Sequence, residues 1–227
     1  MVIRTVIIDA LIKEAIAKGA DTILNLGAGL DTRPYRMDLP SSLRWIEVDY
    51  PHVIDLKDER LAEESPVCDL ERIKLDLTDR TARQKFFTAV NARAGGILVI
   101  TEGVTPYLTE EDVAALADDL RVLAKVRGWI NDYFSPQALS HSRKLRTRFM
   151  QAAPFRFEPK DWFDFFSRHG WRAEEIRYIA DEAKRLGRPI PLRPIWKAWI
   201  ALVSLFMSRE RREVMSRYAA YVLLVPK

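Results

Sequence analysis

Gly27 and Gly29 close an apolar run and are followed by Asp31, Arg33 and Pro34 in the stretch ILNLGAGLDTRPYR, Ile23 to Arg36. Backbone that comes close to a ligand needs residues without a Cβ. A helix starting just beyond such a loop aims its free N–H groups at whatever is bound there. A lone G-x-G is weak evidence, because a tight turn also needs glycine. The loop gains weight from the acids that follow it along the chain: Glu47 and Asp49, then Asp76, then Glu102.

In a dinucleotide site a third glycine stands three residues after the second. Here that residue is Thr32, and Asp31 sits where a pyrophosphate would approach. A carboxylate there repels a diphosphate and suits a ligand with a cationic end. Asp49 stands where an acid accepts from both ribose hydroxyls of an adenosine. Asp76 and Leu77 would flank an adenine, one polar and one apolar. The set favours a nucleoside bearing an ammonium or sulfonium, which describes S-adenosylmethionine, and disfavours an NAD-dependent oxidoreductase.

These residues need elements to hold them. TILNL (22–26) is a short, continuous apolar run, the mark of a strand buried on both faces. LRWIEVD (43–49), ERIKLDL (71–77), GGILVITEG (95–103) and GWINDYF (128–134) read as further strands. DALIKEAIAKG has helical spacing and a stop at Gly19; TEEDVAALADDLRVLAK (109–125) is a helix with a Thr cap and acids in its first turn. Alternating strands and helices imply right-handed crossovers and a parallel sheet covered on both faces, with ligands outside the strands' carboxyl ends. The polar groups fall there on four successive strands: Gly27 and Gly29 after the first, then four acids, Glu47 and Asp49 on the second, Asp76 on the third and Glu102 on the fourth. Later, EPKDWFDFFSRHG (158–170) reads as a helix, WRAEEIRYI (171–179) as a strand, 191–213 as a proline-started helix, and YAAYVLLVPK (218–227) as a last strand. Two late strands suit an antiparallel hairpin at the sheet edge.

Composition sets bounds. The 227 residues fit one domain, with 1–134 as the cofactor half and 135–227 as the substrate half. A net charge of +4 with interspersed signs does not argue for nucleic acid. Cys68 is the one cysteine, so there is no intramolecular disulfide or cysteine-based metal cluster, and His52, His141 and His169 lack ligand spacing. The first residues do not form a signal peptide, since Asp9, Lys13 and Glu14 interrupt the apolar run; a cytoplasmic protein is expected.

NLGAGLDTRPYR, followed by EVDYP, LDL and TEGVTPYL, resembles the leucine carboxyl methyltransferase family of class I S-adenosylmethionine-dependent methyltransferases, above all its bacterial small-molecule and polyketide O-methyltransferases. The match runs from about Arg4 to Tyr107 and weakly on to the last strand. The resemblance implies an α/β, Rossmann-like, seven-stranded, mostly parallel sheet with helices on both faces and the last strand antiparallel. It implies that Gly27, Ala28 and Gly29 line the methionine portion of the cofactor, Asp49 holds the ribose, Asp76 and Leu77 contact the adenine, and Glu102 lies near the amino-acid end. Arg4 matches an arginine that reaches the cofactor carboxylate. Asp31 matches a motif position, and a loop-shaping ion pair with Arg33 is an equal reading of both residues. The product would be S-adenosylhomocysteine. Family members usually carry several dozen residues before the motif arginine, a lid over the cofactor; here Met1 stands three residues before Arg4.

The expected function is O-methylation of a hydroxyl or carboxyl group on a small, apolar molecule. The alternative is a non-catalytic nucleoside-binding or oligomerisation module that kept the fold and lost the lid. Tyr107, His141 and His169 are weak catalytic candidates; packing is as good a reading of Tyr107, and a structural or solvated role is the better reading of either histidine. Methyl transfer to a carboxylate needs no base, only positioning and desolvation. IWKAWIALVSLFM (195–207) is too short to span a bilayer. It suits a helix packed on the sheet or on a partner copy in a homo-oligomer, or a substrate lid or membrane-surface helix with Arg209, Arg211 and Arg212 near lipid head groups.

Overall fold

A computed structural model describes residues 2–139, 155–188 and 217–227. The proposed helix over 191–213, its arginines and His141 lie outside the described residues.

Seven strands form one sheet in the order β3-β2-β1-β4-β5-β7-β6. They are β1 Thr22–Leu26, β2 Arg44–Asp49, β3 Asp69–Lys74, β4 Ile97–Thr101, β5 Val126–Phe134, β6 Trp171–Tyr178 and β7 Ala219–Pro226. β1 to β5 are parallel; β7 runs antiparallel to both β5 and β6. The expected hairpin of β6 and β7 is present, but β7 is inserted between β5 and β6, so the edge belongs to β6. The order reverses at β1, whose neighbours are β2 and β4, which opens a crevice at its carboxyl end.

Helix α1 (Val2–Ala17) covers one face and α4 (Arg80–Arg93), α5 (Glu110–Arg121) and α6 (Trp162–Arg168) the other; α2 (Arg33–Arg36) and α3 (Pro51–Arg60) follow β1 and β2, and α7 (Ile179–Arg185) follows β6. Strand side chains alternate between two cores. Leu24, Leu26, Ile46, Val48, Val99 and Trp129 meet Phe87, Leu116 and Phe166 on one side. Ile23, Trp45, Leu98, Ile100 and Ile130 meet Ile7, Ile8, Leu11 and Ile12 of α1 on the other. This double burial is why β1 and β4 are apolar throughout. Each buried Ile or Leu of α1 contributes about 1.5–3 kcal/mol. α1 therefore stays on the sheet and holds Arg4 and Asp9 over the crevice.

α5 begins with a capping box. Thr109 Oγ1 accepts the Asp112 N–H at 3.1 Å, and the Asp112 carboxylate accepts from the Thr109 N–H at 3.3 Å. This fixes the chain leaving β4, through a 3-10 turn at Thr105–Tyr107, as it passes over the crevice.

Candidate cofactor and acceptor site

The loop after β1 is fastened to the end of β2. Gly27 and Ala28 donate their N–H groups to the Val48 carbonyl at 2.8 and 3.1 Å, and Gly29 donates to Asp49 Oδ2 at 2.7 Å. Asp49 Oδ1 accepts the Tyr50 N–H at 2.7 Å. Gly27 and Gly29 have φ of +69° and +46°, a region that disfavours side chains. A Cβ at Gly27 would stand 2.3 Å from Val104 Cγ2, whereas one at Gly29 would meet nothing within 4 Å. So Gly27 lets the β4 loop pass, and Gly29 keeps space open.

That space divides into two clefts that share Gly27. The first, of about 390 Å³, is lined by Arg4, Gly27, Ala28, Gly29, Asp31 and Glu102 among others. The second, of about 340 Å³, is lined by Gly27, Asp49, Leu75, Leu77, Gly103 and Tyr107 among others. One cleft is rich in charge, and the other mixes Asp49, Asp112 and Arg156 with Leu75, Leu77 and Leu108.

A cluster of three acids and three arginines builds the charged cleft. Buried Arg33 lies 2.7 Å from Asp9, 2.8 Å from Asp31 and 2.9 Å from Glu102. Arg36 pairs with Asp9 at 2.6 Å. Asn25 donates to Asp31 at 2.9 Å. Although burial works against its charge, Asp31 and Glu102 raise the Arg33 pKa and keep the guanidinium ionised. Asp31 is thus held by Asn25 and Arg33 and lines the cleft as well. Arg4 Nε stands 2.6 Å from Glu102 Oε1, yet is buried without an aligned hydrogen-bond partner among the described residues. An acid and a base side by side at a cleft wall match the ammonium and carboxylate of an amino acid.

The acids expected at the strand ends part company here. Glu47 is not at the crevice: it is fully buried within β2, bound to Lys57 at 2.7 Å and Arg72 at 3.0 Å, because it lies two residues before the strand end. β3 stops at Lys74, so Asp76 lies in the loop beyond it. Asp76 Oδ1 accepts from the Thr78 N–H at 2.8 Å and hydroxyl at 2.7 Å, and the carboxylate also meets the Tyr50 hydroxyl. Tyr50, Leu75, Leu77 and Thr78 line the second cleft, and Asp76 reaches it only through its contact with Tyr50. Tyr107 lines that cleft and packs edge-on against Phe155, ring centres 5.3 Å apart. His169 lies at the opposite end of the sheet, at the start of β6, with Nδ1 2.7 Å from Asp118. That distance from the crevice removes its claim to be a base there.

Across the β4 loop lies a third cavity, of about 150 Å³, lined by Pro106, Tyr133, Phe134, Phe157, Trp162 and Phe163, with Lys160 and Asp161. Tyr133 meets Trp162 and Phe163 at ring-centre distances of 5.6 and 5.2 Å. Pro106 borders this cavity while Gly103, Val104 and Tyr107 border the second cleft, so one short loop separates the two.

Sequence reasoning missed Asp132, which lies within β5, two residues before its end. Its Oδ2 accepts the Gly103 N–H at 2.6 Å and it meets the Tyr221 hydroxyl of β7. The rule of strand-end acids, carried one strand further to GWINDYF, would have found it.

A seven-stranded sheet of this order, with the crevice beside β1, defines the Rossmann-like methyltransferase class. The methyltransferase domain of bacterial CtHen1-C superposes over 98% of this chain and 96% of its own with a TM-score of 0.56 at 15% identity. The O-methyltransferase NcsB1 of neocarzinostatin biosynthesis, solved with S-adenosylmethionine and a naphthoic acid, superposes over 91% of this chain and 49% of its own with a TM-score of 0.52 at 9% identity. Within the class, residues 1–121 match the model of the leucine carboxyl methyltransferase family, and the chain belongs to that family. It is an S-adenosylmethionine-dependent methyltransferase. A Frankia alni relative provisionally named S-adenosyl-L-methionine-dependent methyltransferase is 28% identical over 201 residues, covering 84% of this chain and 67% of the relative. Among the described residues, no helix is long and apolar enough to cross a membrane.

Proposed function

We propose that the chain transfers a methyl group from S-adenosylmethionine to an oxygen of a small, apolar acceptor seated in the aromatic cavity. The observation that carries this reading is the arrangement of spaces: a charged cleft and a half-apolar cleft joined at Gly27, with an aromatic cavity one loop away.

The residues present fit the cofactor. Glu102 and Arg4 would hold its ammonium and carboxylate, Asp49 its ribose hydroxyls, and Leu75 and Leu77 its adenine. The open space over Gly29, where a Cβ would meet nothing, leaves room for it. When bound, it supplies an electrophilic methyl on a sulfonium. The chain's own part is positioning and exclusion of water. The clamp on the β1 loop holds the clefts in register, and Tyr133, Phe157 and Trp162 desolvate an acceptor. A carboxylate acceptor arrives ionised at neutral pH; a hydroxyl acceptor must lose a proton.

Incubation with methyl-labelled cofactor and a panel of apolar and polar hydroxy, carboxy and amino compounds tests the reading. Label should pass to an acceptor oxygen, and Trp162→Ala should raise KM for that acceptor while leaving cofactor affinity intact. Label confined to polar acceptors, or to nitrogen, would contradict the proposal.

A further inference from the structure

Glu102 and Gly103 are consecutive, and each lines a different cleft. The turn between them therefore sets how the two halves of the cofactor site meet. Gly103 has φ +70°, and a Cβ there would meet nothing within 4 Å. The local chain does not impose this conformation, because glycine leaves it free. Arg4 and Arg33 hold the Glu102 side chain, and the backbone of the turn is held by the Gly103 N–H to Asp132 Oδ2 bond at 2.6 Å. Asp132 sits directly opposite Tyr221 in the antiparallel β5–β7 pair, so the two side chains share a face, and the tyrosine hydroxyl meets the carboxylate.

We propose that Asp132, held by Tyr221, is a positioning residue for cofactor binding, which fixes the Glu102–Gly103 turn and adds its charge to the amino-acid end. This rests on the assignment of the two clefts to S-adenosylmethionine. An acid only 5% exposed is an expensive way to accept one N–H bond; an asparagine would do the same without the desolvation cost. What the acid adds is charge. The charged and titratable groups facing it are Glu102 just beyond β4, Arg4 of α1 and Tyr221 of β7, and on its other side it lines the third cavity with Tyr133, Lys160 and Asp161. Burial pushes Asp132 up to about 6, with the Glu102 charge adding to the rise and the Gly103 and Tyr221 bonds opposing it. A cofactor ammonium beside Glu102 favours the ionised form, so binding should release a proton in this range.

The test is calorimetric titration of S-adenosylhomocysteine into the wild type, Asp132→Asn, Asp132→Ala and Tyr221→Phe from about pH 5 to about pH 8, each first shown to melt cooperatively. Wild-type affinity should rise with pH. Asp132→Asn, which keeps an acceptor for the Gly103 N–H, should bind within about threefold of the wild type near pH 5 and lose the part of the rise that belongs to Asp132. Asp132→Ala should bind about tenfold or more weakly throughout. Tyr221→Phe, which removes a donor to the carboxylate, should move the midpoint of the rise upward. If Asp132→Ala fails to fold, the other two variants still decide. A folded Asp132→Ala that binds like the wild type, or an Asp132→Asn that follows the wild-type profile, overturns the proposal. A wild type that binds no S-adenosylhomocysteine at any pH overturns the cleft assignment instead.

Discussion

Gly29, in the loop after β1, donates its N–H to the carboxylate of Asp49 at the end of β2 across 2.7 Å. One acid thereby shapes the glycine loop and faces the second cleft. Asp49→Ala should weaken cofactor binding by ~1–3 kcal/mol, through lost charge-assisted bonds and a loosened loop. Asp49→Asn should lose less, since an amide oxygen still accepts the Gly29 N–H. Calorimetric titration of both variants checks this; equal affinity in Asp49→Ala and wild type would remove Asp49 from the site.

Arg33 is the hub of the charged cleft. Its replacement by Met would leave Asp9, Asp31 and Glu102 facing one another with Arg4 and Arg36 alone to balance them. The expected loss of stability is of order 3 kcal/mol. Lys should rescue only part of it, because one ammonium cannot reproduce three directed contacts. Urea unfolding of the two variants measures the difference.

Much of this was legible in the sequence, and the failures have physical causes. β1 matches TILNL residue for residue, because an apolar run stopped by glycine allows little else. Asp76 was read as a strand end because LDL continues the alternation of ERIK, but the ladder to β2 ends at Lys74 and the chain turns on an Asp76–Thr78 bond. α3 gave little helical signal, since only Ile54 and Lys57 of PHVIDLKDER are buried. The place of β7 between β5 and β6 has no local signature at all, as strand order follows from packing across the whole sheet. With it went Tyr221 and the Asp132 contact.

The buried pair Glu47–Lys57 concerns stability rather than the site. Burial pushes the Glu47 pKa up, against the pull of Lys57 and Arg72. Lys57→Met should cost about 3 kcal/mol at neutral pH, the low end for a broken buried pair because Arg72 still holds Glu47, and adding Glu47→Met should recover most of it. The single variant's deficit should shrink as pH falls and Glu47 takes up a proton. A deficit independent of pH would mean that lost packing, not the stranded charge, is responsible.

Asp132 makes an opposite-signed prediction for stability and for binding. Its folded value of about 6 lies above the ordinary 3.8, so the folded chain binds the extra proton. Stability from this group is full below about pH 4 and is lost as pH rises through about 6. Asp132→Asn should therefore be more stable than wild type at neutral pH, by up to roughly 3 kcal/mol, with the gain vanishing near pH 4. Thermal melts across this range check the sign; a variant less stable at neutral pH than at acid pH, relative to wild type, would refute it.

The most direct measurement is thermal unfolding with S-adenosylmethionine, S-adenosylhomocysteine and NAD, each at high excess. A ligand at about 100 times its dissociation constant adds ~2.7 kcal/mol of stability. For a chain of this length that is a rise in Tm of roughly 5–10 °C. The two clefts joined at Gly27 predict this rise with both sulfur nucleosides and none with NAD; no rise with either nucleoside, or a rise with NAD alone, would contradict the account.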